Sequence, residues 1–154
     1  MATEQTTDTT TTDPPDALRR LGRLIGTWQV TDPSGANAVE GQVSYEWLDG
    51  ESFLLQRVDL LQNGQRARGI EVIGHTWLFG GERDAHITSR YYDHAGHTLD
   101  YVYELDDDSL TIWGGEKGSA AYFRGTFDAT GDRLTGSWVW PGGGYDSSMT
   151  RIGS

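Results

Sequence analysis

Cysteine is absent from the 154 residues, which excludes disulfides, thiolate zinc sites and cysteine nucleophiles. No apolar run approaches the roughly 20 residues that a membrane-crossing helix needs. Positive charge is scarce: 12 Lys and Arg stand against 23 Asp and Glu, a formal net charge of −11. Such a surface repels phosphate backbones and anionic headgroups, so no nucleic acid and no membrane is expected as a partner. The opening residues, Met1 to Asp8, carry neither a basic stretch nor an apolar one. No signal peptide is expected there, and the expected location is cytoplasmic.

What is abundant points elsewhere. Glycine numbers 21 and aromatic residues reach 11%, beside 36% hydrophobic residues. Many tight turns and large side chains on strands make an all-β profile. Residues 1–16 are nearly all Thr, Asp, Glu and Pro and have nothing to bury, so a disordered tail is expected. Leu18, Leu21, Leu24 and Ile25 recur at helical spacing, with Asp16 as N-cap and Gly26 as stop, which predicts a short helix over Ala17–Ile25. From Thr27 onward about ten alternating runs are split by turns such as Asp49-Gly50, Asn63-Gly64, Asp93-His94-Ala95-Gly96 and Pro141-Gly142-Gly143-Gly144. Without a helix between them, neighbouring strands must be antiparallel. The expectation is one domain over residues 17–154, an antiparallel up-and-down β-barrel of eight to ten strands, since closure removes exposed edges.

Turn lengths then assign faces. A two-residue Asp49-Gly50 turn sets Tyr45 opposite Leu54 and Val43 opposite Gln56, and Asn63-Gly64 sets Gln56 opposite Glu71. A loop over Leu78–Arg83 sets Glu71 opposite Arg90 and His75 opposite His86. A four-residue Asp93–Gly96 turn sets Arg90 opposite Leu99. The glycine turn sets Trp138 opposite Ser147 and Leu134 opposite Arg151. Tyr45, Trp47, Tyr101, Tyr103, Phe123, Trp138 and Trp140 fall on the inner face, with Gln56, Glu71 and Arg90 at one level of it. Phe53, Leu55, Ile70 and Val72 point outward, either under the helix or at a homodimer interface.

Gly26-Thr27-Trp28 opens the first strand after the short helix, and Arg151 closes the last strand in Met149-Thr150-Arg151-Ile152. This arrangement resembles the calycin superfamily of lipocalins, fatty-acid-binding proteins and their relatives. The resemblance implies that Trp28 plugs the barrel floor and that Arg151 stacks over it. Ser44-Tyr45-Glu46-Trp47-Leu48, Ile70-Glu71-Val72-Ile73-Gly74-His75 and Leu134-Thr135-Gly136-Ser137-Trp138 are also similar to a bacterial family of small lipocalin-like proteins. That similarity covers roughly Leu18 to Ile152 and carries over a fold but no activity.

The polar groups expected inside decide the chemistry. Burying a carboxylate and a guanidinium is unfavourable by several kcal/mol each unless they pair, and a Glu71–Arg90 pair that merely fills the barrel is one reading. The leading one is binding of a small hydrophobic or aromatic molecule, held by Tyr45, Trp47, Gln56, Glu71, Arg90, Tyr101, Tyr103, Phe123, Trp138 and Trp140. The alternative is a barrel enzyme of cyclase, isomerase or dehydratase type, with Glu71 or His75 as base and Arg90 or Tyr101 as oxyanion partner. A third is an interaction protein with a plugged lumen. His75, His86, His94, His97 and Asp93 form no spacing specific to a metal, so neither metal nor cofactor is expected. His75 would be the one lumenal candidate for haem, with no motif in support. Ser147 and Ser148 lack a His partner, and no helix follows Gly142-Gly143-Gly144 to bind an anion.

Overall fold

The alternating runs that follow Gly26 form ten strands. The computed structural model describes residues 16–154; the tail expected over residues 1–16 lies, apart from Asp16, outside the described residues. The strands are β1 (Gly26–Thr31), β2 (Val39–Trp47), β3 (Phe53–Gln62), β4 (Gln65–Gly74), β5 (Ile87–Asp93), β6 (Thr98–Asp106), β7 (Ser109–Gly114), β8 (Tyr122–Phe127), β9 (Arg133–Trp140) and β10 (Gly143–Gly153). Each pairs antiparallel with the next, and β1 pairs with β10, so the meander closes on itself as the sequence predicts. No described helix is long and apolar enough to cross a membrane.

The expected helix is shorter and tighter than its spacing suggests. It consists of α1 (Ala17–Arg20) and one 3-10 turn (Leu21–Leu24). Asp16 occupies the N-cap position, but its carboxylate reaches Arg20 at 3.3 Å and caps no backbone N–H. Leu18, Leu21 and Leu24 are buried with Trp28, Leu54, Ile73 and Phe127 in one apolar cluster. The segment therefore covers the barrel floor and not the outer face. Arg23 pins it there, donating to the Asp107 carbonyl at 3.0 Å and to Asp108 at 2.9 Å while lying 4.3 Å over the Phe127 ring. Phe53 and Ile70 remain outward and over a third exposed, as the register predicts.

Closure at the floor joins the two ends of the described chain. Trp28 is fully buried, and its indole N–H donates to the Leu24 carbonyl at 2.8 Å. The Arg151 guanidinium lies 4.3 Å over the Trp28 ring. It also donates to the carbonyls of Ile25, Arg23 and Gly131 and to Asp132. Gly26 has φ +123°, and a Cβ there would stand 2.6 Å from the Gly153 carbonyl oxygen. Only glycine fits that crossing.

Several registers differ from those expected, for reasons of turn geometry. Asn63 and Gly64 both take positive φ, +53° and +81°, and Gln56 sits opposite Glu71 as expected. The Asp49-Gly50 connection instead spans four residues, with Leu48 N–H bonded to the Phe53 carbonyl. Tyr45 therefore faces Gln56 and Val43 faces Val58. The turn at Pro141-Gly142 is two residues long and places Trp138 opposite Tyr145. Both shifts are by two residues, so the inward set is unchanged.

Between β4 and β5 the shift is by one, and it turns a strand over. Trp77 bridges to Arg83, which the expected Leu78–Arg83 loop leaves unpaired, and the ladder breaks below them. Asp84 Oδ1 takes the His86 N–H at 2.9 Å and the Asp84 carbonyl takes His75 Nδ1 at 3.1 Å. Those local bonds displace the ladder, and Glu71 faces Tyr91 while Arg90 faces Val72. Asp93 then adds a second single-residue shift: its Oδ1 accepts the Ala95 and His97 N–H groups. Arg90 consequently meets Asp100, and Tyr101 and Tyr103 return to the inside.

Replacing Arg151 by Leu should remove the floor lock and destabilise the fold by about 2–4 kcal/mol, measured by urea denaturation. Lys at the same position should recover less than half of that, because a point charge cannot span three carbonyls.

Candidate functional site

The closed wall encloses a cavity of about 770 Å³ that opens at the end away from the helix. Its mouth is formed by residues near the Gln62, Thr98, Gly115 and Trp140 turns, and its floor is the cluster under α1. A fully plugged lumen would leave no such cavity.

At mid-depth one polar row crosses three strands. Tyr45 on β2, Gln56 on β3 and Glu71 on β4 are direct register neighbours. Gln56 Nε2 donates to the Tyr45 hydroxyl at 2.8 Å. Glu71, 5% exposed, accepts from Ser89 Oγ and from the Tyr103 hydroxyl, both at 2.6 Å and both at Oε2. Ser89 reaches it diagonally from β5, and Tyr103 reaches across from β6. No ion pair involves Glu71 among the described residues.

Burial raises the Glu71 pKa above the ordinary carboxyl value, against the smaller opposing effect of its two hydrogen bonds. Desolvation without a cation favours the neutral acid. With both donors engaged on Oε2, the proton of that acid belongs on Oε1. Burial also raises the Tyr45, Tyr101 and Tyr103 hydroxyls and pushes Tyr145 up to about 12, so these phenols stay neutral donors.

Across the lumen the wall is aromatic. Trp138 lies 5.5 Å from Phe123 and 5.9 Å, edge to face, from Tyr101. Trp140 is at the rim, 6.0 Å from Tyr145, whose hydroxyl takes a long bond from Gln62 Nε2 at 3.4 Å. The site thus presents apolar rings on one side and hydroxyl, amide and carboxyl groups on the other.

Of the residues expected from sequence, Tyr45, Gln56, Glu71, Tyr101, Tyr103, Phe123, Trp138 and Trp140 line this cavity. Trp28 and Arg151 close the floor. Three do not line it. Arg90 is outside, its side chain 57% exposed and in a bidentate pair with Asp100 at 2.7 and 3.2 Å. The one-residue shift before β5 puts Tyr91 opposite Glu71, where Arg90 was expected, and brings Ser89 to the inner face beside it. Trp47 lies below the cavity, where a Cβ on Gly22 would come 3.4 Å from its ring. His75, just past the end of β4, is buried with Nδ1 on the Asp84 carbonyl.

The other histidines do not converge: His97 pairs with Asp93 at 3.0 Å and His94 contacts the Arg68 backbone. No group of three metal-ligating side chains occurs among the described residues. Ser89 was missed by sequence reasoning, although Ile87 and Tyr91 two places either side carry an inward apolar signal.

The fold and site define a closed antiparallel barrel with a lumenal carboxyl group. No known family model matches the chain, and no curated protein matches it.

Because Glu71 keeps its proton more strongly when folded, its contribution runs opposite to that of a salt-bridged carboxylate. Below the ordinary value of 4.5 both states hold the proton. Above it only the folded state does, so stability falls as pH rises toward the elevated value. Relative to Glu71→Gln, the wild type should lose up to about 1.4 kcal/mol per pH unit in that window, read from denaturant midpoints across a pH series.

Proposed function

We propose that this protein binds a small, largely hydrophobic or aromatic molecule in the barrel lumen, in the manner of the calycin-like proteins its sequence resembles. The observation that carries this reading is the open cavity of about 770 Å³ walled by Phe123, Trp138 and Tyr101 opposite a polar row ending at Glu71. Such a volume lies within the range of drug-sized ligand pockets. The ligand's body packs on the rings, and its polar end meets Glu71, Gln56 and the phenols.

A second reading, acid–base catalysis on a similar molecule, is favoured by one observation. Glu71 is a buried acid beside tyrosine donors, and burial raises its pKa, the direction that suits a general acid. In that reading Oε1 of Glu71 carries the proton and Tyr101 faces the reacting carbonyl. Arg90 takes no part.

Native mass spectrometry of protein purified from its own source should show a bound organic mass that denaturation releases. An apolar probe such as 1-naphthol should shift tryptophan fluorescence on binding. Trp138→Ala should weaken it roughly tenfold, the value of one well-packed aromatic contact. With the released molecule in hand, Glu71→Gln separates the readings. A binder still binds, whereas an enzyme loses kcat far more than KM. The homodimer stays a proposal supported by outward Phe53 and Ile70, and sedimentation velocity returning only a monomer ends it.

A further inference from the structure

The chemistry of the ligand's polar end follows from which charges the lumen contains. Among the described residues lining it, none is Arg, Lys or His. The two charged types present are acidic: Glu71 at mid-depth and Asp100 at the mouth, the latter held by Arg90 on the outer side. A carboxylate or phosphate head would enter with no counter-charge and no guanidinium to bond. That burial is unfavourable by several kcal/mol. The cavity is therefore not built for fatty acids or other organic anions, whatever the length of their chains.

A positive head meets the opposite situation. Among the described residues lining the cavity, Glu71 is the one charge-bearing group below the mouth, and its Oε1 is engaged by neither Ser89 nor Tyr103. Tyr45, Tyr101, Tyr103 and Trp138 stand around the same space, and aromatic faces attract a desolvated cation. The formal net charge of −11 raises the local concentration of cations near the mouth. A buried carboxyl without a cation is also the more demanding choice of residue. An amide would accept the same two hydrogen bonds without any tendency to ionise.

We propose that the lumen takes an aromatic or arylalkyl amine, its ring system against Phe123 and Trp138 and its ammonium group on Oε1 of Glu71. This inference rests on the lumenal-binding reading and names the ligand class of that same site. The proton count is simple. The ammonium enters with its proton, the Glu71 carboxyl proton passes to solvent, and no covalent bond is made or broken between ligand and protein.

The titratable groups that face Glu71 are phenols, Tyr45 on β2, Tyr91 on β5, and Tyr101 and Tyr103 on β6, while β3 presents the neutral Gln56. Burial raises each of them above the ordinary tyrosine value, so below about pH 8 Glu71 is the group beside the ligand that changes charge.

Three probes of one shape test the proposal by isothermal titration calorimetry on the full chain: 1-naphthylmethylamine, 1-naphthylmethanol and 1-naphthylacetate. At about pH 8 the amine should bind at least tenfold more tightly than the alcohol, and the acetate most weakly. Below the Glu71 pKa the advantage of the amine should shrink by up to about tenfold per pH unit, while the affinity of the alcohol stays level. Below the Glu71 pKa the amine's binding heat should vary with buffer ionisation enthalpy, reporting the proton that the carboxyl releases. Glu71→Gln, checked for folding by circular dichroism, should lose the amine's advantage over the alcohol.

An amine no tighter than the alcohol on the wild type overturns the amine assignment and leaves lumenal binding standing. So does an advantage that ignores pH, or an acetate that binds best. Failure of all three probes to bind removes both readings together. The wild-type comparison needs no variant, so it decides the matter even where Glu71→Gln does not fold.

Discussion

The hydrogen-bonded ladder between β1 and β10 is the constraint on which the rest of this molecule depends. Without it the ten strands form an open sheet with two unpaired edges and no interior. With it, side chains from strands far apart in sequence share one space: Tyr45 from β2, Tyr103 from β6 and Trp138 from β9. Trp28 and Arg151 stand opposite each other in that ladder, so the lock on the floor and the seam of the barrel are one feature. The irregularity between Thr27 and Trp28 lets the final strand overrun Gly26, whose missing Cβ makes room for it.

Closure also creates the electrostatic problem at Glu71. A carboxyl on an open sheet would be hydrated. Inside the barrel it has Ser89 and Tyr103 as donors and no cation, so desolvation prevails and raises its pKa. Arg90, the cation nearest in sequence on the adjoining strand, neutralises Asp100 on the surface instead. Outside the wall Arg90 and Asp100 thus neutralise each other, while the inner wall keeps one acid surrounded by hydroxyls and rings.

Much of this was legible because strand alternation has a period of two. The barrel, the short helix, the Trp28–Arg151 floor and most lumenal aromatics followed from alternation, turn residues and one resemblance. Errors of two residues at Asp49-Gly50 and at Pro141-Gly142 changed partners but not faces. The error that mattered lay in residues 75–86. There the Asp84 carboxylate and carbonyl bind local groups and displace the ladder, a competition invisible in alternation alone. It inverted β5 only, because the Asp93 turn introduced a compensating residue. Two signals were available: Ile87 begins the strand with an apolar side chain that needs an interior, and Arg90 has an acid, Asp100, in reach only on the outside.

The floor and the mouth impose different duties on different residues. α1, Trp28 and Arg151 seal one end, so a molecule that reaches mid-depth must return by the way it came, past Leu99 and Trp140. For the lumenal binding proposed above, how strongly a ligand is held would be decided at the carboxyl and its ring of phenols, and how quickly it exchanges at the rim. Dwell time and selectivity would then be separable traits, with changes at the turn tips retuning kinetics without rewriting recognition.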